Sequence, residues 1–334
     1  MRIPFDHLRE TLERALNRLG ITGERAALSA RLIAETDLDG IATHGIARFP
    51  RFAEMVRLGR IDPVATPQTT SSLGAIERWS GNLGPGNLAA HAAMARAMQL
   101  AGQHGLGGVA LANTTHWQRG GTYGWQAANA GFAAICWTNT LPNVPPWGAT
   151  TPALGNNPLV IAIPRANGPI VLDMAMSQFS YGTLAAYRER NQPLPVPGGF
   201  DLEGNLTTHA AAIEASQRAL PIGFWKGSGL AFALDVLGAM LSGGNATHHL
   251  GPDPLSEVGL SQVFLAFSPE ALTTQAAVNA LADEAIAFLH SAQPETPGQP
   301  ARCPGERVLQ TRAENLRLGI LVNEAAWSAL QQLA

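Results

Sequence analysis

The sequence predicts an α/β fold in which a small helical region precedes a larger region that contains both strands and helices. Two observations support this prediction. Residues 6 to 60 keep the residue spacing of amphipathic helices, and from Gly74 onward short apolar runs typical of buried strands appear between helical stretches. Strands that alternate with helices along most of a chain are the pattern of α/β proteins.

Helical periodicity is clearest near the start of the chain. Apolar residues recur every three or four positions from Leu8 to Leu19, and the pattern returns from Ala26 to Leu38. An alanine-rich helix is predicted from Asn87 to His104, and Gly105 ends it. Three later helical stretches are predicted: Ser228 to Leu241, Pro269 to Ala292, and a short C-terminal pair within Arg307 to Leu333.

Five short runs have the composition of buried strands. Each is apolar, rich in β-branched or aromatic residues, and bounded by turn residues such as Gly, Pro or Asn. The runs are Gly108 to Asn113, Phe132 to Trp137, Leu159 to Ile163, Ile170 to Met174 and Gln262 to Phe267. We therefore divide the chain into a helical region at 1–73, joined by the C-terminal helices at 307–334, and an α/β domain at 74–306 that binds cofactor and substrate.

Composition excludes several classes of function. Only 14% of the 334 residues are charged and the net charge is −3, so no basic surface for nucleic acid or for an anionic membrane is expected. The N-terminus enters a helical pattern directly, without the apolar run of a signal peptide, and we expect a cytoplasmic protein. Cys136 and Cys303 are too few for a disulfide framework, and no ligand spacing for a metal is present.

The first candidate for chemistry is the segment Thr43-His44-Gly45-Ile46-Ala47-Arg48. If a helix runs from Ile46 onward, the spacing of four places His44 and Arg48 on one face. An imidazolium can give a proton to a carbonyl oxygen while a guanidinium holds the neighbouring carboxylate through two hydrogen bonds. The pair therefore suits a 2-oxo acid, although a surface histidine near an arginine occurs by chance in many helices and is the commoner arrangement.

Other polar groups follow predicted strands, where α/β proteins place ligand sites. His116 lies in a glycine-rich stretch after one strand, and Thr138-Asn139 ends the next. Asp173 can orient a histidine or cap a helix, capping being the commoner use. Trp225-Lys226 offers an aromatic ring and an ammonium, or simply a buried ring beside a surface lysine.

The chain has no G-x-G-x-x-G fingerprint between a strand and a helix, so a Rossmann site is not predicted. Instead the chain resembles the malate/L-lactate/L-sulfolactate dehydrogenase family over nearly its whole length. The motifs that carry the resemblance are Thr43-His44-Gly45 with Arg48, the segment Asn113 to Tyr123, Thr138-Asn139, Gly155-Asn156-Asn157-Pro158, Asp173-Met174 and Trp225-Lys226-Gly227-Ser228-Gly229. Thr43 and Asn156 stand where the family usually has Ser and Thr, and the Leu141 to Val144 stretch also departs from similar members.

The resemblance implies a non-Rossmann, mixed-sheet fold like that of L-sulfolactate dehydrogenase, with an N-terminal helical region. It implies a homodimer, NADH as the hydride donor, a 2-oxo sugar acid as substrate, and His44 as the proton donor. From the residues we expect Arg48 at the carboxylate, with His116 and Thr43 at substrate oxygens. By position in the motifs, the cofactor contacts are Val171, Leu172, Asp173, Met174, Ala175, Trp225, Lys226, Gly305, Glu306 and Arg307.

Three alternatives stay open at this point. The substrate could be another 2-oxo acid or a cyclic imino acid, and the donor could be NADPH, although no basic partner for its 2′-phosphate is located. Outside the enzymes, a sugar-acid binding protein could keep the same pocket. Binding alone needs no proton donor, so His44 and Lys226 together favour an enzyme.

Overall fold

A seven-stranded mixed sheet forms the centre of the computed structural model, which describes residues 1–334. The strands are β1 (Gln68–Leu73), β2 (Ile76–Ser80), β3 (Leu106–Thr115), β4 (Ala133–Thr138), β5 (Leu159–Ile163), β6 (Ile170–Met174) and β7 (Val258–Phe267). Their order across the sheet is β1-β2-β3-β7-β4-β5-β6, and only β2 and β3 are parallel. This topology confirms the predicted non-Rossmann mixed sheet.

Eleven α-helices surround the sheet and form the N-terminal helical layer. They are α1 (Phe5–Arg18), α2 (Glu24–Leu38), α3 (Phe49–Arg57), α4 (Gly86–His104), α5 (Gly121–Asn129), α6 (Tyr181–Glu189), α7 (Ala210–Ser216), α8 (Trp225–Ser242), α9 (Gln275–His290), α10 (Glu306–Leu318) and α11 (Glu324–Leu333). Short two-stranded pairs join Arg2–Ile3 to Ile320–Leu321, Pro142–Val144 to Leu154–Gly155, and Gly199–Phe200 to Leu206–Thr207.

Helices cover both faces of the sheet. Because side chains alternate between the two faces along each strand, neighbouring strand residues enter different cores. Val109 and Phe264 point into a core shared with α4 and α5, while Ala110 and Val263 point into a second core shared with α8. The alanines of α4 let that helix lie close to β3, where a Cβ on Gly107 would stand 2.1 Å from the Ala97 carbonyl oxygen. The continuous apolar strands predicted from sequence follow from this burial on two sides.

The predicted strands at Leu159–Ile163 and Ile170–Met174 have the bounds that the structure shows, and α4 ends at Gly105 in the left-handed conformation, φ +81°. The predicted helix from Pro269 to Ala292 is wrong at its start. A 3₁₀ turn occupies Pro269–Ala271, and α9 begins only after Thr274, whose hydroxyl accepts a hydrogen bond from the Ala277 N–H.

The prediction missed β1 and β2, and β1 belongs to the sheet although it lies within the proposed helical region at 1–73. All six residues of β1, Gln-Thr-Thr-Ser-Ser-Leu, are exposed at the edge of the sheet. An edge strand that is exposed on both faces has no hydrophobic alternation to detect. The four α-helices α1, α2, α3 and α11 pack in large part on another core, which includes Leu12, Ile33, Phe49 and Trp327. Helix α10 is joined to α2 by a hydrogen bond from Asn315 Nδ2 to the Leu38 carbonyl at 2.9 Å.

The helical region and the sheet are connected by a buried carboxylate directly after α2. Asp39, whose side chain is 2% exposed, accepts a hydrogen bond from Arg119 beyond β3 and another, at 2.6 Å, from Arg312 Nε on α10. The side chain of Arg119 is 4% exposed. One carboxylate thus fixes the end of α2 against two distant parts of the chain.

Replacing Asp39 with Ala should lower the free energy of unfolding by about 3–5 kcal/mol, because it leaves the buried Arg119 guanidinium without its carboxylate partner. Urea unfolding of the variant and the wild type measures the difference. The matched control is Asp6→Ala, which removes an exposed pair with Arg9 at 3.6 Å and should change the value by less than about 1 kcal/mol. Equal effects of the two substitutions would contradict the role given to Asp39.

Candidate active site

A cavity of about 1420 Å³ lies where the loop after α2, the edge of β6 and the start of α6 meet. It brings together all four predicted catalytic residues, Thr43, His44, Arg48 and His116. The same cavity is lined by part of the predicted cofactor set: Val171, Leu172, Asp173, Met174, Ala175 and Gly305. Residues separated by more than 250 positions in the sequence therefore face one space.

The loop that carries His44 differs from the helix assumed from its spacing. Two 3₁₀ turns, Ala42–His44 and Ile46–Arg48, flank Gly45, and α3 begins only at Phe49. The buried Asp37 carboxylate fixes this loop by accepting a hydrogen bond from the Ile46 N–H at 2.8 Å. A Cβ on residue 45 would stand 2.0 Å from Asp37 Oδ2, so only glycine fits there. Burial raises the pKa of Asp37 to about 8.

His44 is held through its side chain by the residue before it. The Thr43 hydroxyl lies 2.9 Å from His44 Nδ1. A hydroxyl can donate to a neutral ring nitrogen or accept from a protonated one, so this contact is compatible with both charge states of His44. Thr43 keeps the hydroxyl of the serine that the family usually has. Because the contact with His44 uses only this hydroxyl, the change from serine to threonine preserves it.

Burial keeps His44 uncharged near neutral pH. Burial first, and then the charge of the neighbouring Arg48, lower the pKa of His44 to about 4. The charge of Asp173 acts in the opposite direction and raises the pKa of His44, while Arg119 lowers it. After burial, the charge of Arg48 is therefore the second cause that sets the protonation of His44.

His116 is a hydrogen-bond donor to the cavity rather than a source of protons. Its Nδ1 accepts a hydrogen bond from the Gln118 N–H at 3.0 Å, and a backbone N–H can only donate. Burial and then the charge of Arg48 lower the pKa of His116 well below its usual range. The ring is therefore neutral with its proton on Nε2. It stacks against His44 with the ring centroids 6.2 Å apart.

Two arginines at this end of the cavity share one carboxylate. Arg48 Nη2 and Arg51 Nη2 each donate to Glu257 Oε2 at 2.8 Å, and the Glu257 side chain is 7% exposed. Arg48 makes this single side-chain hydrogen bond within the protein, so its other N–H groups remain available to a ligand. Glu257 precedes β7 and lies 209 positions after Arg48, a pairing that no local pattern in the sequence could indicate.

Asp173 plays the capping role that the sequence favoured. Its Oδ2 accepts a hydrogen bond from the Gly121 N–H at 2.9 Å, at the start of α5, and lies 3.6 Å from Arg119 Nε. A Cβ on Gly121 would stand 2.5 Å from this oxygen. The glycine-rich stretch after β3 thus allows a helix to begin directly against β6.

The wall formed by β6 and the start of α10 has features that suit a dinucleotide. β6 is the outer strand of the sheet, so the backbone groups on its free side are not paired with another strand. On this side the Val171 N–H donates a hydrogen bond to the Pro304 carbonyl at 3.2 Å. Gly305 has φ +91°, and a Cβ there would stand 3.1 Å from the Val171 nitrogen. The free N–H groups at the start of α10 favour an anion.

The structure places four predicted cofactor residues outside the lining of this cavity. Trp225 and Lys226 begin α8, and Trp225 is 66% exposed. Arg307 is exposed, and the Glu306 carboxylate accepts from the Cys303 N–H at 3.0 Å and pairs with His290 at 3.2 Å. These assignments stay predictions.

Two polar motifs that suggested a pocket have structural partners instead. Asn139 donates a hydrogen bond to Asp235 and accepts one from the Ser261 N–H. Asn157 accepts a hydrogen bond from the Thr140 N–H and donates one to the Ala231 carbonyl. The cavity is lined by the residues that follow or precede them, Thr140 and Asn156. No group of three His, Cys, Asp or Glu side chains is arranged to hold a metal ion, and no helix has the length and apolar character needed to cross a membrane.

Comparison with known proteins agrees with this architecture. A sequence model described as malate/L-lactate dehydrogenase matches residues 3–331. A 2,3-diketo-L-gulonate reductase from Citrobacter koseri is 42% identical over 334 residues, with 100% of both chains covered.

Solved structures give the same result. Sulfolactate dehydrogenase from Methanocaldococcus jannaschii is similar with a TM-score of 0.91 and 26% identity, covering 100% of this chain and 96% of its own. Delta1-piperideine-2-carboxylate reductase from Pseudomonas syringae pvar. tomato gives a TM-score of 0.88 with 27% identity and 100% of both chains. The chain therefore belongs to the malate/L-lactate dehydrogenase family of nicotinamide-dependent oxidoreductases.

Proposed function

We propose that this enzyme reduces 2,3-diketo-L-gulonate to 3-keto-L-gulonate with NADH as the hydride donor. The observation that carries the proposal is the adjacency of His44 and Arg48 in one cavity that also contains Val171 to Ala175 and Gly305. The full-length similarity to proteins named 2,3-diketo-L-gulonate reductase supports the choice of substrate.

In this mechanism Arg48 binds the carboxylate of the 2-oxo acid. Its free N–H groups offer the fork that a carboxylate accepts, and Glu257 holds the guanidinium in place from the other side. The bound carboxylate offsets the positive charge of Arg48, which is one of the causes that lower the pKa of His44. Substrate binding thereby raises the pKa of His44 and favours uptake of the proton that the reaction needs.

The reduction then requires a hydride and a proton at the same carbonyl group. Residues Val171 to Ala175 and Gly305 would hold NADH, which when bound would supply the hydride for C2. His44 donates its proton to the C2 oxygen, while Thr43 accepts a hydrogen bond from Nδ1 of the charged ring. His116 Nε2–H donates a hydrogen bond to a substrate oxygen and lowers the energy of the developing negative charge.

The charges that line the cavity support NADH rather than NADPH as the donor. The 2′-phosphate of NADPH needs a basic partner. Each arginine that lines the cavity is paired with a carboxylate, Arg48 and Arg51 with Glu257 and Arg119 with Asp39, and the remaining N–H groups of Arg48 are assigned to the substrate in this mechanism. Near β6 the charged side chain that lines the cavity is the acidic Asp173.

A panel of substrates tests the proposed activity. Oxidation of NADH and of NADPH would be followed with 2,3-diketo-L-gulonate, pyruvate, oxaloacetate and a cyclic imino acid. We expect the highest kcat/KM with the diketo acid and NADH. A clear preference for another compound would retain the mechanism but overturn the substrate, and binding without turnover of any compound would favour a sugar-acid binding protein.

The pH dependence tests the role of His44. For reduction, kcat/KM reports the free enzyme, in which the pKa of His44 is about 4, so kcat/KM should fall as the pH rises from 5 to 8. The value of kcat should persist to higher pH, since the bound carboxylate raises this pKa. His44→Gln should lower kcat by about 10² to 10⁴ and lose the pH dependence.

The matched control is His104→Gln, which alters an exposed histidine at the end of α4. It should leave both pH profiles unchanged. Full activity of His44→Gln, or a wild-type kcat/KM that is flat across this pH range, would contradict the role of His44.

We also propose a homodimer in the cytoplasm. One face of α8 exposes Trp225, Phe232, Val236 and Met240, an apolar surface that a second copy of the chain could cover. The cysteines are both free, as a reducing compartment favours.

Sedimentation velocity should give one species at twice the chain mass of 35.1 kDa. Phe232→Lys should shift it toward the monomer, whereas Leu272→Lys, at another exposed apolar residue, should not. A monomeric wild type would rule out the dimer.

A further inference from the structure

Residues 178–220 form a small unit, here called the cap, that rests on the active site. The chain enters and leaves it at neighbouring points, because the Gln178 N–H donates to the Leu220 carbonyl at 2.7 Å. Within the cap, α6 and α7 enclose a separate core of Leu184, Leu194, Ala210 and Ile213. The cap therefore has its own packing and presents the first turn of α6 to the cavity.

The start of α6 lies directly against the catalytic loop. A Cβ on Gly182 would stand 2.5 Å from Thr43 Cγ2, and Thr43 itself contacts His44. Tyr181, Gly182 and Thr183 all line the cavity. A substrate whose carbonyl is near His44 would therefore extend along this turn.

A second segment completes the wall. The Tyr181 hydroxyl donates to the Asn143 backbone carbonyl at 3.0 Å, which joins α6 to the Pro142–Val144 strand. Asn143 also lines the cavity, and no hydrogen bond within the protein occupies its side-chain amide. The Thr183 hydroxyl has one partner, the Ser180 hydroxyl at 2.9 Å, which leaves it further hydrogen-bonding capacity.

The polar groups of this wall carry no charge. Asn143, Ser180, Tyr181 and Thr183 offer one amide and three hydroxyls, and burial raises the pKa of Tyr181 to about 12, which keeps it neutral. Amides and hydroxyls pair well with the hydroxyl groups of a sugar chain. A second carboxylate placed here would be desolvated without a cation beside it, which is unfavourable.

We propose that Asn143 and Thr183 bind the hydroxyl groups of the substrate tail, so that the cavity selects polyhydroxylated 2-oxo acids over short-chain and dicarboxylic ones. This inference rests on the proposed function, since it places the substrate carboxylate at Arg48 and the carbonyl at His44.

Asn143→Ala and Thr183→Val test the proposal. The measured quantity is the ratio of kcat/KM for 2,3-diketo-L-gulonate to that for pyruvate, which ends before the wall. Each substitution should lower this ratio about tenfold, the equivalent of about 1.4 kcal/mol for a lost hydrogen bond. Thr207→Val is the matched control: it removes a hydroxyl of the cap outside the cavity lining and should leave the ratio unchanged.

Binding provides a readout that does not depend on turnover. The enzyme would be titrated calorimetrically with L-gulonate and with lactate, in the presence of NADH. Both variants should bind L-gulonate more weakly than the wild type does, and should bind lactate as the wild type does. An unchanged kcat/KM ratio, or equal losses for both compounds, would overturn the proposal while leaving the proposed function intact. A wild type that prefers pyruvate or oxaloacetate would overturn the proposed function as well.

Discussion

The active site depends on one buried carboxylate, that of Asp39. It lies at the end of α2, five positions before His44, and accepts hydrogen bonds from Arg119 at the start of the α5 segment and from Arg312 on α10. Arg119 in turn approaches Asp173 on β6, which fixes the first residue of α5. The helical region, the outer strand of the sheet and the C-terminal helix are thereby aligned, and the cavity lies between them.

The site also balances its charges so that it accepts one anion and one proton together. Glu257 neutralises part of the Arg48 and Arg51 pair and leaves hydrogen-bonding capacity on Arg48. Burial and Arg48 keep His44 uncharged near neutral pH, since they lower its pKa to about 4. In the proposed mechanism a carboxylate at Arg48 offsets one of these causes, so that the group proposed to recognise the substrate also prepares the proposed proton donor. His116, fixed as a neutral donor by the Gln118 N–H, needs no such change.

Much of the fold and part of the site could be predicted from the sequence. The buried strands and α4 have strong hydrophobic patterns, and the His44 and Arg48 pair is local in the chain, so both were found. The sequence did not indicate the exposed strand β1, because edge exposure removes the hydrophobic pattern. It did not indicate the Glu257 partner of Arg48 either, because a pairing over 209 positions has no local signal. The cap helices were also missed. The conformation of this segment was also hidden: a 3₁₀ turn at Ile46–Arg48 stands at the start of the assumed helix, and Asp37 fixes the loop through the Ile46 N–H.

In the proposed mechanism, binding of the substrate carboxylate at Arg48 places a proton on His44. The most direct measurement is the proton uptake when oxamate, an unreactive analogue of a 2-oxo acid, binds the enzyme with NADH present. Calorimetric titrations at pH 7 in buffers of different ionisation enthalpy give this uptake. The account predicts a net uptake of protons in the wild type that is lost in His44→Gln. Binding without uptake, or an uptake that persists in His44→Gln, would contradict it.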